Sequence, residues 1–329
     1  MTAMNTRRSL LQALGLACLA WLAPATASAQ PADAGRAIRW IVPYQAGSSP
    51  DIHCRIVGEA LSKVLEQPIV IDNKPGAAGN LGAQLARRAP ADGSTWLYSG
   101  SPLAANMRIY KAPGYDAMKD FVHVSMIASS DAVLVVDARS DIRSVADLLQ
   151  RLRAKPGAAS YGSGGSGTPS HLAAEWLLQA AHVQAVHVPY KGAAATVMAV
   201  LAGEIQFSLP IVGVAAPQVQ AGRLRALAVT GAQRNPRLPT VPTLVESGFP
   251  DITVVSFGGL SVPAGTPAPV VQRIEAAMRL VLALPAVREK IEATGSEVAS
   301  GGSQAFTAAL AAEVPATERM MRAAALEAQ

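Results

Sequence analysis

Cysteine is nearly absent from this sequence, with two in 329 residues, at positions 18 and 54. Cys18 falls in an N-terminal stretch that reads as removable. Cys54 then stands alone, so no internal disulfide can form even in an oxidising compartment. A lone cysteine on an apolar-periodic segment reads as a small buried hydrophobe. Aromatic residues are scarce, at 5%, and no basic block occurs, which excludes the usual platform for nucleic acid. Beyond the N-terminal stretch no apolar run reaches 18 residues, so no membrane-spanning helix is expected in the mature chain. Reactive constellations are missing too. The histidines at 53, 123, 171, 182 and 187 follow no metal-ligand spacing such as H-E-x-x-H. Neither a G-x-S-x-G elbow nor a P-loop lysine occurs. No catalytic residue, metal or cofactor is expected.

The removable stretch is residues 1–29. Arg7 and Arg8 precede an apolar core from Leu10 to Leu22, and Ala27-Ser28-Ala29 supplies small residues for cleavage. This is the pattern of an export signal, with the periplasm as destination. Thr6-Arg7-Arg8-Ser9-Leu10-Leu11 also resembles a twin-arginine signal. Lipid attachment at Cys18 is the lesser alternative, because Gly15-Leu16-Ala17 lacks leucine at the usual place. Cleavage takes two of 28 basic residues and none of 23 acidic ones, leaving 26 against 23, or +3. The remainder is long enough for two domains with separate cores.

The most informative stretch is Tyr161-Gly162-Ser163-Gly164-Gly165-Ser166-Gly167-Thr168-Pro169-Ser170-His171. Small and hydroxylated residues run into an apolar-periodic segment, with Leu172, Trp176, Leu177 and Ala180 on one helical face. Amides in the first turn of a helix lack intrahelical acceptors, and the macrodipole adds partial positive charge there. An anion is the natural guest. Two further strand–loop–helix starts share this form. Ile38 to Tyr44 leads through Ala46, Gly47 and Ser48 into a helix from Ser49, the expected N-cap, to about Leu65. Val186 to Tyr190 leads through Lys191 and Gly192 into a helix ending near Ala202. Asp51 reads either as a dipole partner or as an organiser of loop amides and a ligand amine. Strands and helices alternate along the rest, which predicts α/β sheets with helices on both faces. Phe121–Ile127 and Ala132–Val136 read as strands, Ser144 as a helix cap, and Thr253–Val262 as a strand crossing between domains.

Gly162, Gly164 and Gly167 also spell G-x-G-x-x-G, a dinucleotide fingerprint. The acid expected about 20 residues on is missing, since that neighbourhood, Val186 to Tyr190, contains no carboxylate and none follows until Glu204. A flexible Gly/Ser loop is the plainer alternative. A hydrolase would have to pair Ser163 or Ser166 with His171, without a third orienting residue.

Val42-Pro43-Tyr44-Gln45-Ala46-Gly47 with Asp51 and Arg55, Asp72-Asn73-Lys74-Pro75-Gly76-Ala77-Ala78-Gly79-Asn80, the 161–172 stretch, Val188-Pro189-Tyr190-Lys191-Gly192 and Arg223 to Val229 recur together in one order. The chain thereby resembles the Bug family, periplasmic solute-binding proteins of tripartite tricarboxylate transporters. The resemblance implies a type II periplasmic binding protein: two doubly wound α/β domains joined by crossover strands, with a ligand cleft between them. It places domain 1 at 30–128 plus 231–329 and domain 2 at 129–230. It implies a monomer that binds a small carboxylate and hands it to membrane permease components or to a periplasmic sensor domain. By position it points to Tyr44, Ala46, Gly47, Ser48, Asp51, Ser101, Ser163, Ser166, Thr168, His171, Lys191, Gly192 and Gln206 as ligand-binding. Two departures stand out. Ser48 replaces a usual glycine and would strain the loop if that position needs positive φ. Gln206 replaces a frequent acid, which bears on any ligand amine.

Overall fold

The computed structural model describes residues 36–165, 168–299, 301–323 and 326–328. The expected signal peptide, Ser166 and Gly167 lie outside them. The first elements are β1 (Ile38–Val42), α1 (Ser49–Leu65), β2 (Ile69–Asn73), α2 (Asn80–Arg87), β3 (Thr95–Gly100), α3 (Ser101–Ile109) and β4 (Phe121–Asp131). A second series follows: β5 (Val133–Asp137), α4 (Val145–Ala154), β6 (Ser160–Ser163), α5 (Pro169–Ala180), β7 (Val186–Pro189), α6 (Ala193–Ala202), β8 (Phe207–Ser208), α7 (Val212–Gln220) and β9 (Leu224–Val229). The last are β10 (Val255–Pro263), α8 (Ala268–Ala283), α9 (Pro285–Ala293), β11 (Glu297–Val298) and α10 (Ser303–Ala323).

The strands make two sheets, ordered β11-β4-β10-β3-β1-β2 and β7-β6-β8-β5-β9. In the first, β1 runs parallel to β2 and β3, and β10 lies antiparallel between β3 and β4. In the second, β6 runs parallel to β7 and β8, and β5 is antiparallel to β8 and β9. Side chains alternate across each strand, and both faces are covered, which is why these strands read as continuous apolar runs. Trp40, Val42, Trp96 and Tyr98 pack with α1 and α8, whereas Ile41 and Leu97 face α2 and α3. In the second sheet Leu134 and Val136 pack with α4 and α5, and Val133 and Val135 with α6 and α7. Cys54 is fully buried in the first of these cores. Ser144 caps α4 as expected, accepting the Asp147 amide at 3.1 Å.

Two expectations need correction. β10 does not cross between sheets; it lies wholly in the first, and the chain crosses just before it. The strands expected at 121–127 and 132–136 are nearly one extended run, since β4 reaches Asp131 and β5 starts at Val133. The two crossings meet at Thr230, which is fully buried. Its Oγ1 accepts from the Ala132 amide at 2.9 Å and donates to the Val254 carbonyl at 2.5 Å. Its own amide donates to Ala132 O, and its carbonyl accepts from Val254 N, both at 2.9 Å. β4 leaves its sheet at the same edge as Gly100, the carboxyl end of β3, with β10 between them, and β5 enters beside the carboxyl ends of β8 and β9. The sheets are therefore joined carboxyl edge to carboxyl edge.

Thr230→Val keeps the shape but strands two buried backbone groups. It should cost about 2 kcal/mol, read as a lower urea midpoint with unchanged far-UV circular dichroism.

Candidate functional site

Parallel strands connected by helices put every helix start at the carboxyl edge of the sheet. In the first sheet this gathers the N-termini of α1, α2 and α3, after β1, β2 and β3 respectively. In the second it gathers those of α5, α6 and α7, after β6, β7 and β8.

The loop from Tyr44 to Asp51 is held by one carboxylate. Asp51, 2% exposed, accepts from Gly47 N at 2.9 Å and Arg55 Nε at 3.0 Å through Oδ2. Its Oδ1 takes Asn73 Nδ2 at 3.0 Å and Arg55 Nη2 at 2.9 Å. Burial alone would push this carboxyl up. The bonds from Arg55, Gly47 and Asn73 outweigh it and hold the group below the ordinary aspartate value. With its acceptor sites filled, Asp51 organises the loop. Asn73 also donates to Tyr44 O at 3.1 Å; it stood in the recurring Asp72-Asn73-Lys74 stretch and was not singled out. The positive φ of this loop falls at Gly47, +82°, while Ser48 sits at −71° and is itself the N-cap of α1, in place of the expected Ser49. Serine at 48 is therefore unstrained. Its Oγ does not cap the helix, and like the Tyr44 hydroxyl it is buried without a partner. Ala46 and Gly47 are exposed. Ser101, at the start of α3, accepts the Phe257 amide at 3.3 Å.

In the second sheet, Ser163 at the end of β6 uses all its hydrogen-bonding capacity internally. Its Oγ donates to Gly165 O at 3.0 Å, accepts Gly165 N at 3.2 Å and lies 2.7 Å from His187 Nε2. Thr168, the N-cap of α5, donates Oγ1 to the same Gly165 carbonyl at 2.7 Å. Ser170 accepts the Gly164 amide at 3.1 Å. The hydroxyls of Ser163, Thr168 and Ser170 bond within the loop, and the first-turn amides of α5 have no intrahelical acceptor. His171, in that first turn and 6% exposed, stacks on His187 with ring centroids 4.0 Å apart. Burial pushes both imidazoles down, and His187, lowered further by its neighbour His171, reaches about 4. The structure thus pairs Ser163 with His187, not with His171. Sequence spacing missed His187 because β7 brings it alongside Tyr161 only through sheet register.

Gly164 packs against Gly192, since a Cβ added at Gly164 would lie 3.5 Å from the Gly192 Cα. The α5 and α6 starts are thereby neighbours. Lys191 between them is exposed. Gln206 does not join this group. Its Oε1 accepts the Ser160 amide at 2.7 Å, at the amino ends of β6 and β8 and so on the far edge of the sheet from Ser163. Residue spacing along a parallel strand overruled its proximity in sequence to β8. The residue of β8 at the carboxyl edge is Ser208, fully buried and with its Oγ unpartnered. Among the described residues no group of three or more His, Cys, Asp or Glu is arranged to hold a metal ion, and no helix is long and apolar enough to cross a membrane.

A family model described as tripartite tricarboxylate transporter family receptor matches residues 53–326. BugT of Bordetella pertussis is 31% identical over 277 residues, which is 83% of this chain and 84% of BugT. A solved R. palustris protein with adipate is similar with a TM-score of 0.82 at 30% identity, covering 89% of this chain and 99% of that one. MatC from Rhodopseudomonas palustris with bound malate gives a TM-score of 0.76 at 25% identity, covering 88% and 99%.

Asp51→Asn should weaken the fold by about 2 kcal/mol at pH 7, the scale of charge-assisted bonds. Because the folded carboxyl is depressed, its contribution is present above the unfolded value and fades as pH falls through the folded one. Urea titrations at pH 7 and pH 3 should show the gap between wild type and variant closing in acid.

Proposed function

The chain belongs to the tripartite tricarboxylate transporter receptor family, and we propose that it is an exported, non-catalytic protein that captures a small carboxylate and delivers it to the membrane components of such a transporter. Its α/β fold with two sheets is that of the periplasmic binding proteins it resembles. The fold moves the boundaries expected at 128/129 and 230/231: residues 129–131 belong to β4 of the first sheet, and Leu238, Val241, Leu244 and Val254 pack in the cores of the second. We therefore assign domain 1 to residues 30–131 with 255–329 and domain 2 to 132–254, with cleavage after Ala29 and release to the periplasm. Thr230 then marks the hinge.

One observation carries the reading: helix N-termini from both sheets open on carboxyl edges that the crossings join. In the first domain the start of α1 would receive one carboxylate, with the Tyr44 and Ser48 hydroxyls beside it. In the second, the first turn of α5 with His171 and the Gly192–α6 start with Lys191 would receive another. Asp51, Ser163 and Thr168 hold these loops in shape. A ligand with two carboxylates suits the two-sided arrangement, and the adipate and malate of the similar proteins support that class. Affinity would come from charge-assisted bonds to backbone amides in a desolvated cleft.

Mature protein from residue 30 should be stabilised by adipate, malate or a related diacid and not by the matching diamide. At 100 times the dissociation constant the gain is about 2.7 kcal/mol, a clear shift of the thermal midpoint. Equal shifts by acid and amide would remove the carboxylate from the account.

A further inference from the structure

The second carboxyl edge contains a group that loop-and-amide binding does not use. Tyr161, His171, His187 and Phe207 form one layered stack. His187 lies 4.0 Å from His171 and 5.0 Å from Tyr161, and Tyr161 lies 5.5 Å from Phe207, each centroid to centroid at 26° or less between planes. The stack reaches the site at both ends of its imidazole pair. His171 belongs to the first turn of α5, and His187 Nε2 touches the Ser163 hydroxyl that shapes the loop.

Among the described residues the charged and titratable neighbours of the pair come from a few elements. β6 contributes Tyr161, whose hydroxyl donates to Glu175. α5 contributes Glu175, four residues on from His171. β8 contributes only Phe207. α10, which shares the core around α5, brings Met320 and Met321. Lys191, after β7, is exposed, and Tyr190 turns to Glu204 at 3.3 Å. Three effects lower the affinity of the imidazoles for a proton when no anion is present: burial, the positive end of the α5 dipole, and the repulsion that two charged rings 4.0 Å apart would feel; at His187 the Glu175 carboxylate works against them. An anion at the α5 start reverses the second effect and opposes the other two. Only one ring can then be charged, since the repulsion between rings remains.

We propose that the His171–His187 pair takes up one shared proton when a dicarboxylate is captured, so that binding to this domain is proton-linked. This rests on the carboxylate reading above. The sign follows from linkage: a group whose affinity for protons rises on binding makes the ligand bind tighter as pH falls. The effect spans the interval between the bound and free values of the pair. At its steepest it is about tenfold per pH unit for one proton.

Calorimetry of the mature protein with adipate and with malate at pH 6.5, repeated in two buffers of different ionisation enthalpy, counts the proton directly. We expect net uptake of about half to one proton and a Kd that falls several-fold between pH 7.5 and 6.5. The H171Q/H187Q variant, in which glutamine at 187 can still donate to Ser163, should lose the uptake. Histidine ring NMR of the wild type, with and without adipate, reads the same protonation without any substitution. A diacid that binds with no proton uptake and a flat pH profile overturns this inference and leaves the carboxylate reading standing. So does uptake that survives in the double variant. Failure of both diacids to bind, in calorimetry and in the thermal shift alike, overturns both.

Discussion

A strand that runs parallel to its neighbour has to return by a helix, and that helix starts at the strand's carboxyl end. Each such start leaves amides with no intrahelical acceptor, and they accumulate along one edge of the sheet. Here two sheets obey the rule, and the chain crosses between them at those same edges, at Ala132 and at Thr230 to Val254. The seam between the sheets is consequently lined with hydrogen-bond donors and partial positive charge. On the proposed reading anion capture would need no dedicated cationic cluster, which is consistent with the +3 expected once residues 1–29 are removed.

The hydroxyl-rich sequence of the cradle suggests that serines and threonines grasp the ligand, yet most of them grasp the loop. Gly165 O receives bonds from Ser163 and Thr168, and Gly164 N gives one to Ser170. Turning those backbone groups inward fixes the path of a glycine-rich segment that would otherwise be free to move. Asp51 does the same service in the first sheet, through Gly47 and Asn73. The two loops reach one result by different chemistry. The carboxylate near the α1 start is fully engaged by Arg55, Asn73 and the Gly47 amide.

Much of this was legible from the sequence because it is local. The alternation of apolar runs and caps located most strands and helices, and small residues before apolar-periodic segments located the helix starts to within a few residues, with Ser49, Leu172 and Lys191-Gly192-Ala193 expected where the caps are Ser48, Thr168 and Gly192. What escaped was non-local or disguised. α7 carries Pro217 inside it, which breaks its helical pattern; α9, which opens on Pro285, was not read either. The crossing was placed at β10 because that strand is apolar throughout; burial within one sheet and passage between two leave the same hydrophobic trace. Gln206 lies two residues from the carboxyl-edge Ser208 in sequence, but two residues along a strand span roughly 7 Å and point it at the opposite edge. His187 carries no local signal at all. It joins His171 only because β6 and β7 pair in a register that sets His187 opposite Tyr161.

Ser48 shows how a departure from family pattern can be harmless to the backbone and still alter the chemistry. The left-handed turn of its loop is made entirely by Gly47, at φ +82°, where a side chain would be strained. Ser48, in extended geometry, is free to be any residue that fits an N-cap. A glycine there would offer only backbone. Serine adds a hydroxyl that neither caps α1 nor reaches solvent, beside an equally unpartnered Tyr44 hydroxyl. Buried polar atoms without partners are uncommon in folded chains, and two in one loop at a helix start are most simply donors kept for a guest. On the proposed reading the first domain would meet a ligand with hydroxyls and amides, the second with amides, imidazoles and the Lys191 ammonium. Those unlike ends would orient an asymmetric diacid, and a symmetric one would lack any such preference.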